Sequence, residues 1–392
     1  MYVLTEFRKF LLGRKLMIPK QGKKIRIGVL TPPNSTAGHV PLSNLLNILS
    51  VQSHSLYLIT GNKGTNYFKN DAHIITWGIH HESKKNTFLR ILNFFYLQIC
   101  IAIAFIKIGK KCDVWIFFLG GEIMVLPMFI AKLFRKKVIL LFGGSSVNIH
   151  NFDSVKNWLH ILTLINCTLS DKLILYSDSL VKEWNLEKWE NKIEFAHEHV
   201  IDFQKFRIVK HQYERDKIIG FIGRLSEAKG IWNFIHAIEI IIKDRQDFKF
   251  LIIGDGSLRV KIEQYIDQKK LHNFVKIEGW VSHDELPLYF NTLKLLVIPS
   301  YTEGLPNAML ESMACGTPVL ATPVGVIPNM IRNGETGFIM ENNSPQCIAE
   351  NIINALENTN LENIAVNAKK MIERDFTFES TVKQWRRIVD KI

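Results

Sequence analysis

At 392 residues the chain exceeds one ordinary compact domain and suits two of about 150–200 residues each. Its 47% apolar and 22% charged residues exclude a disordered or fibrous protein. The net charge of +12 lies wholly in the first half: residues 1–200 hold 25 Lys+Arg and 13 Asp+Glu (+12), residues 201–392 hold 24 and 24 (0). Such asymmetry points one domain at an anionic partner, whether a membrane surface, nucleic acid or a phosphorylated substrate.

Residues 1–23 read as a basic extension with Phe7, Phe10 and Leu11 at helical spacing and without the apolar core of a secretory signal. Apolar runs then predict strands at Ile25–Leu30, Leu56–Ile59, Val114–Phe118, Val138–Phe142 and Leu173–Tyr176, with helical stretches between them. Uninterrupted runs of this length belong to strands buried on both faces of a parallel sheet, so the first half reads as a doubly wound α/β domain. Between Arg90 and Lys107 the uncharged stretch Ile91–Ile106 is shorter than a bilayer span and is interrupted by Asn93 and Gln98. It reads as a buried or membrane-skimming helix.

The first domain is expected over residues 1–205 and a polar linker over 206–216. A second Rossmann-like domain follows over 217–374, with strands at Lys217–Gly223, Phe248–Gly254, Phe274–Gly279, Lys294–Ser300, Thr317–Thr322 and Gly337–Met340. Residues 375–392 form a terminal helix that packs back on the first domain. Two such domains leave a cleft between the carboxyl ends of two sheets, where ligands of α/β proteins bind. The five scattered cysteines (Cys100, Cys112, Cys167, Cys315, Cys347) have no metal-site or redox-pair spacing and fit a reduced, cytosolic compartment.

Three segments carry chemistry. In Gly223-Arg224-Leu225-Ser226-Glu227-Ala228-Lys229-Gly230, directly after a strand, two cations five residues apart can converge on a phosphate or diphosphate; the same pair also fits an ordinary solvated loop. Gly254-Asp255-Gly256 follows the next strand, and its glycines permit close backbone approach to a ligand or a plain turn. The third, Pro299 to Pro318, places Glu303 and Gly304 in a loop and starts a helix near Pro306, with amides of Gly304, Leu305 and Asn307 directed at the cleft and Glu311 two turns along. Paired carboxylates serve a hydrolase dyad, a metal site or hydroxyl recognition. Beside an anion site they describe a pocket for a sugar joined to a nucleoside diphosphate.

The ordered set FIGRLSEAKG, LIIGDGSLR, IEGWVSHDELPLYF, IPSYTEGLPNAMLESMACGTPVLATPVG and NGETGFI resembles the C-terminal domain of the retaining, nucleotide-sugar-dependent glycosyltransferases of family 4, which have the GT-B fold of two facing Rossmann-like domains. The resemblance is dense from Lys217 to Asp375 and holds only in outline before it. It implies that Arg224 and Lys229 bind the donor diphosphate and stabilise the departing nucleotide. By the same resemblance Glu303 contacts the transferred sugar beside the amides of Gly304 and Leu305, and Glu311 holds the ribose hydroxyls. Gly279 to Val281 border the nucleobase. In the first domain, Gly38 is the one glycine of the loop Thr31–His39, where the family commonly has two adjacent ones. Gly143-Gly144-Ser145-Ser146 stands where many members place a histidine; His39, His150, His197 and His199 are candidates for that role, and each also fits a surface or loop histidine.

The implied protein is a metal-independent hexosyltransferase with a nucleotide sugar as co-substrate and no other cofactor. Its acceptor would be a glycan or lipid-linked carrier, and the basic clusters Arg8–Lys15, Lys20–Arg26, Lys107–Lys111 and Arg135–Lys137 would face an anionic membrane. It would work at the cytoplasmic face, without nucleic acid. Two other readings stay open: a nucleotide-sugar epimerase of the same fold, and a non-catalytic glycan- or membrane-binding member.

Overall fold

The computed structural model describes residues 25–33, 38–68, 71, 74–79, 86–144 and 154–392. The extension 1–23, Ser145, Ser146 and His150 lie outside the described residues. The chain divides into two units: the first takes residues up to Tyr176, Trp184–His199 and Phe378–Ile392, and the second Ser177–Glu183 and Val200–Thr377.

The first unit is built on seven parallel strands, β1 (Ile25–Leu30), β2 (Ser53–Gly61), β3 (Ile74–Ile79), β4 (Val114–Phe117), β5 (Lys137–Leu141), β6 (Lys172–Leu175) and β7 (Ile193–Phe195), in the order β3-β2-β1-β4-β5-β6-β7. The five strands legible as apolar runs are the interior ones. The two that are not, β3 and β7, close the edges, where one face is exposed and the side chains need not be apolar.

Helices α1 (His39–Ser50), α2 (Lys63–Phe68), α3 (Thr87–Ile108), α4 (Val125–Leu133) and α5 (Ser154–Leu169) cover this sheet. Asn86 caps α3, its side chain accepting the N–H groups of Phe88 (2.9 Å) and Leu89 (3.4 Å). The apolar run inside α3 lies along the sheet: Phe105 is fully buried with its ring 4.6 Å from that of Trp115, and Ile101 and Ala102 are buried beside it. Gln98, which interrupts the run, is buried and useful there. Its amide donates to Ile123 O (3.0 Å) and accepts from Leu126 N–H (3.1 Å), fastening α3 to the start of α4.

The C-terminal helix Phe378–Asp390 belongs to this unit as well. Trp385, fully buried, donates its indole N–H to His197 O at 2.8 Å, and Lys391 pairs with Glu194 at 2.9 Å. His197 and His199, which fit surface or loop histidines by sequence, are each only 7% exposed because this helix and Tyr176 enclose them.

The second unit has six parallel strands, β8 (Ile218–Ile222), β9 (Lys249–Ile253), β10 (Val275–Gly279), β11 (Leu295–Ile298), β12 (Val319–Ala321) and β13 (Phe338–Ile339), ordered β10-β9-β8-β11-β12-β13. This order reverses beside β8, as in dinucleotide-binding sheets. Its helices are α6 (Asp178–Glu183), α7 (Ile231–Ile241), α8 (Arg259–Gln268), α9 (Leu286–Thr292), α10 (Asn307–Ala314), α11 (Ile327–Met330), α12 (Pro345–Glu357) and α13 (Leu361–Asp375).

The stretch read as a linker is an integral part of this unit. Arg215 is buried, and its guanidinium donates to Lys210 O (2.8 Å), Leu293 O (3.0 Å) and Cys315 O (2.8 Å). Burial pushes its pKa down to about 10, while the ring of carbonyl oxygens satisfies its donors. Gln212 donates to Gly316 O at 2.9 Å and Ile201 N–H to Phe376 O at 3.0 Å. A polar sequence with no apolar period is here ordered by buried hydrogen bonds, a signal that periodicity does not carry.

Candidate functional site

The chemistry-bearing segments of the second unit all fall at the carboxyl ends of its strands. Gly223–Gly230 leads from β8 to α7, Gly254–Gly256 follows β9, Val281 follows β10, and Pro299–Pro306 leads from β11 to α10.

Backbone bonds stitch these loops together. Gly223 N–H donates to Ile253 O (3.0 Å), Gly254 N–H to Gly279 O (2.7 Å), Leu225 N–H to Asp255 O (3.0 Å) and Tyr301 N–H to Ala228 O (2.9 Å). Gly254 has φ 137°, and a Cβ there would lie 1.9 Å from Gly223 O, so only glycine lets these two loops touch. Gly325 plays the same part under the acidic loop: at φ 59° its Cβ would meet Glu303 O at 2.0 Å.

Glu303 is 7% exposed and holds two partners through one oxygen, Lys229 Nζ at 2.6 Å and Ser300 Oγ at 2.7 Å. A strand-end hydroxyl and a cation from the neighbouring loop thus fix the carboxylate's direction. Arg224 is exposed on the same loop as Lys229. Pro306 caps α10 in an extended conformation, so the first-turn N–H groups from Asn307 onward open beside Glu303 and Gly304. Leu305 and Pro306 are buried and Asn307 is exposed.

Glu311 is 6% exposed, one turn into α10, and its Oε1 lies 2.8 Å from His283 Nε2. The other ring nitrogen, Nδ1, is 3.1 Å from Lys205 Nζ, which also pairs with Asp284 at 2.6 Å. An ammonium can only donate, so Nδ1 accepts and the proton sits on Nε2, aimed at Glu311. The imidazole is 5.2 Å from the ring of Phe206.

His283, Lys205 and Phe206 are the residues that sequence reasoning missed. His283 lies two positions beyond Val281 in the same loop, which is the signal that was there to use. Lys205 and Phe206 lie in the supposed domain end and linker. The second unit therefore brings together Gly223, Arg224, Lys229, Gly254, Gly256, Val281, Glu303, Gly304, Leu305, Pro306, Asn307 and Glu311 on one set of strand ends. Gly38 belongs to the first unit, where it is the residue preceding α1.

Such an arrangement offers cations and helix amides to an anion, and two carboxylates fixed by partners to neighbouring hydroxyls. Residues 202–371 match the family model described as "Glycosyl transferases group 1". The capsular polysaccharide biosynthesis glycosyltransferase CapM of Staphylococcus aureus is 30% identical over 237 residues, 56% of this chain and 61% of that protein. An uncharacterized glycosyltransferase of Methanocaldococcus jannaschii is 31% identical over 172 residues, 44% of this chain and 47% of that one. The chain spans about half the length of the curated relatives it matches. Among solved structures, Anabaena HepE in complex with UDP aligns with a TM-score of 0.75 at 16% identity, over 94% of this chain and 100% of that one. Sucrose-phosphate synthase from Thermosynechococcus elongatus aligns at 0.73 and 17%, over 94% and 98%. These likenesses establish the fold, GT-B, with its two parallel-sheet α/β units. Within residues 202–371 the chain is similar to the glycosyl transferases group 1 family.

Proposed function

We propose that the chain is a retaining glycosyltransferase that moves a sugar from a nucleoside-diphosphate sugar to a glycan or lipid-linked acceptor, in cell-surface polysaccharide or glycolipid synthesis at the cytoplasmic face of a membrane. The observation that carries this reading is the pairing of Lys229 with Glu303 beside the N-terminus of α10, with Glu311 one turn further. The activities of similar proteins support it, among them capsular polysaccharide biosynthesis for CapM and poly(ribitol-phosphate) alpha-N-acetylglucosaminyl transfer for another S. aureus protein.

In this reading the bond between the sugar's anomeric carbon and the diphosphate oxygen breaks, and its electron pair leaves on the diphosphate. Arg224, Lys229 and the α10 amides offset that charge, so the chemistry calls for no metal or further cofactor. The acceptor oxygen bonds to the anomeric carbon on the face the nucleotide leaves, and its proton passes to the departing phosphate. Glu303 orients the sugar's hydroxyls and Glu311 those of the ribose, while Gly279–Val281 line the base.

A panel of nucleotide sugars screened for protection against thermal unfolding, followed by incubation of the best donor with glycan acceptors, tests the proposal. Nucleotide release that depends on acceptor, with product of the donor's anomeric configuration, is expected. An epimerised donor without release, or no donor binding at all, would overturn it.

A further inference from the structure

We infer that the outward side of α3, α4 and α5 in the first unit is a docking surface for the anionic headgroups and acyl margin of a phospholipid leaflet, on which the protein lies without crossing. The inference deepens the proposed membrane location and rests on it.

Helix α3 carries apolar side chains on both of its sides, yet only one side covers the sheet. On the other, Phe88, Leu92, Phe95, Ile99, Ile103 and Ile106 are each half or more exposed. Their spacing of four, three, four, four and three residues draws one stripe along the helix, about 27 Å at 1.5 Å per residue. The stripe continues on its neighbours: Phe129 and Leu133 of α4 are 60% and 70% exposed, and Ile161 and Ile165 of α5 are exposed too. Trp158 of α5 bridges to α3, its ring 5.2 Å from Phe94 and 5.7 Å from Phe95. A contiguous apolar face over three helices is larger than a soluble monomer ordinarily leaves in water.

The charges around this face are predominantly basic, Asp171 after α5 being taken up by Lys132 at 2.7 Å and Lys137 at 3.5 Å. Arg90 stands near one end of the α3 stripe, Lys107, Lys110 and Lys111 at the other, and Arg135 follows α4. Among residues 86–144 and 154–169 the acids are Asp113 and Glu122 alone. Asp113 is paired with Arg26 at 2.6 Å, and Glu122 accepts the N–H of Gly120 at 2.9 Å. An apolar surface rimmed by cations complements an anionic leaflet. A second copy of the same face would set like charges against one another.

Length and composition alone would let α3 cross a bilayer. The fold argues otherwise. Drawing it into lipid would strip Phe105 from Trp115 and Gln98 from Ile123 and Leu126, leaving the sheet and the α4 amide uncovered.

The test is flotation of the full chain with vesicles of phosphatidylcholine alone or mixed with phosphatidylglycerol, at low and high salt. Binding to the anionic vesicles that weakens with salt is expected, together with at least a tenfold loss in the triple variant Leu92→Gln/Ile99→Gln/Ile103→Gln, whose circular dichroism and melting should match the parent because all three side chains are half exposed. Absence of vesicle binding by the parent chain would overturn the inference, as would binding that the triple variant leaves unchanged. A dimer in solution that the triple variant abolishes would also overturn it, assigning the face to a second copy. Nucleotide-sugar protection of the same variants reads the second unit independently: its loss in the parent chain would sink the transferase reading and leave the lipid result standing.

Discussion

His283 Nε2 lies 2.8 Å from Glu311 Oε1, and Lys205 on the other ring nitrogen fixes the tautomer that points this proton at the carboxylate. The imidazole thus positions Glu311 and leaves the second carboxylate oxygen for a ligand's hydroxyls. A hydrogen bond to a charged group is worth roughly 1.5–3 kcal/mol, so His283→Ala should raise the KM for the donor about tenfold with little change in kcat. His283→Gln, which can still donate, should recover part of the loss. A fall in kcat with unchanged KM would instead put the histidine at the reacting atoms.

Lys229 and Arg224 are expected to act on the departing diphosphate. Lys229→Ala and Arg224→Ala should each lower turnover by about two to three orders of magnitude, the size found when a single preorganised donor to developing charge is removed. The two should differ in stability. Arg224 is exposed and its removal should leave the melting temperature unchanged, whereas loss of Lys229 leaves the buried carboxylate of Glu303 with Ser300 as its remaining side-chain partner. That variant should lose about 1–3 kcal/mol of stability, measured by denaturant titration. Near-normal sugar transfer by both variants would remove the site assignment.

The legibility of this protein tracks burial. Strands such as Val114–Phe117 and Val138–Leu141 are covered on both faces and announce themselves as apolar runs, while β3, with Ile75 and Trp77 exposed, and the three-residue β7 do not. The strand-end loops of the second unit are readable because their glycines, cations and carboxylates sit at positions fixed by the strand pattern itself. Lys205, Phe206 and Arg215 are not, since their order comes from hydrogen bonds to carbonyls distant in sequence, such as Cys315 O and Leu293 O. The histidines of the first domain misled for a related reason: polar residue type suggested exposure at His197 and His199, and the C-terminal helix buries them.

Gly254 marks a point where the site's geometry leaves no tolerance. Any Cβ would fall 1.9 Å from Gly223 O, and the neighbour is backbone, which cannot swing aside. Gly254→Ala should cost on the order of 3 kcal/mol and weaken donor protection at the same time, because relief of the clash must move the loop that carries Arg224. Unchanged denaturant midpoints would show that the two loops can part without penalty.

Glu198 makes stability in the first unit depend on pH. It stands with Tyr176 where the chain leaves that unit, and the Tyr176 hydroxyl is 2.7 and 2.9 Å from its two oxygens, with His199 Nδ1 at 3.7 Å. Burial raises the carboxyl from 4.5 to about 7, against the opposing pull of the tyrosine hydroxyl. The unfolded chain releases this proton near 4.5 while the folded chain keeps it until about 7, so between those values the folded state binds more protons. Stability must then fall as pH rises through the window, by up to ~3 kcal/mol, and level off above it. Glu198→Gln keeps an oxygen for Tyr176 and cannot ionise. The free energy of unfolding of the parent chain minus that of the variant should therefore decline across the window, leaving the variant the more stable protein above pH 7. A difference that stays flat would mean that Glu198 ionises in the fold as readily as in water, and that the tyrosine and histidine around it compensate its burial in full.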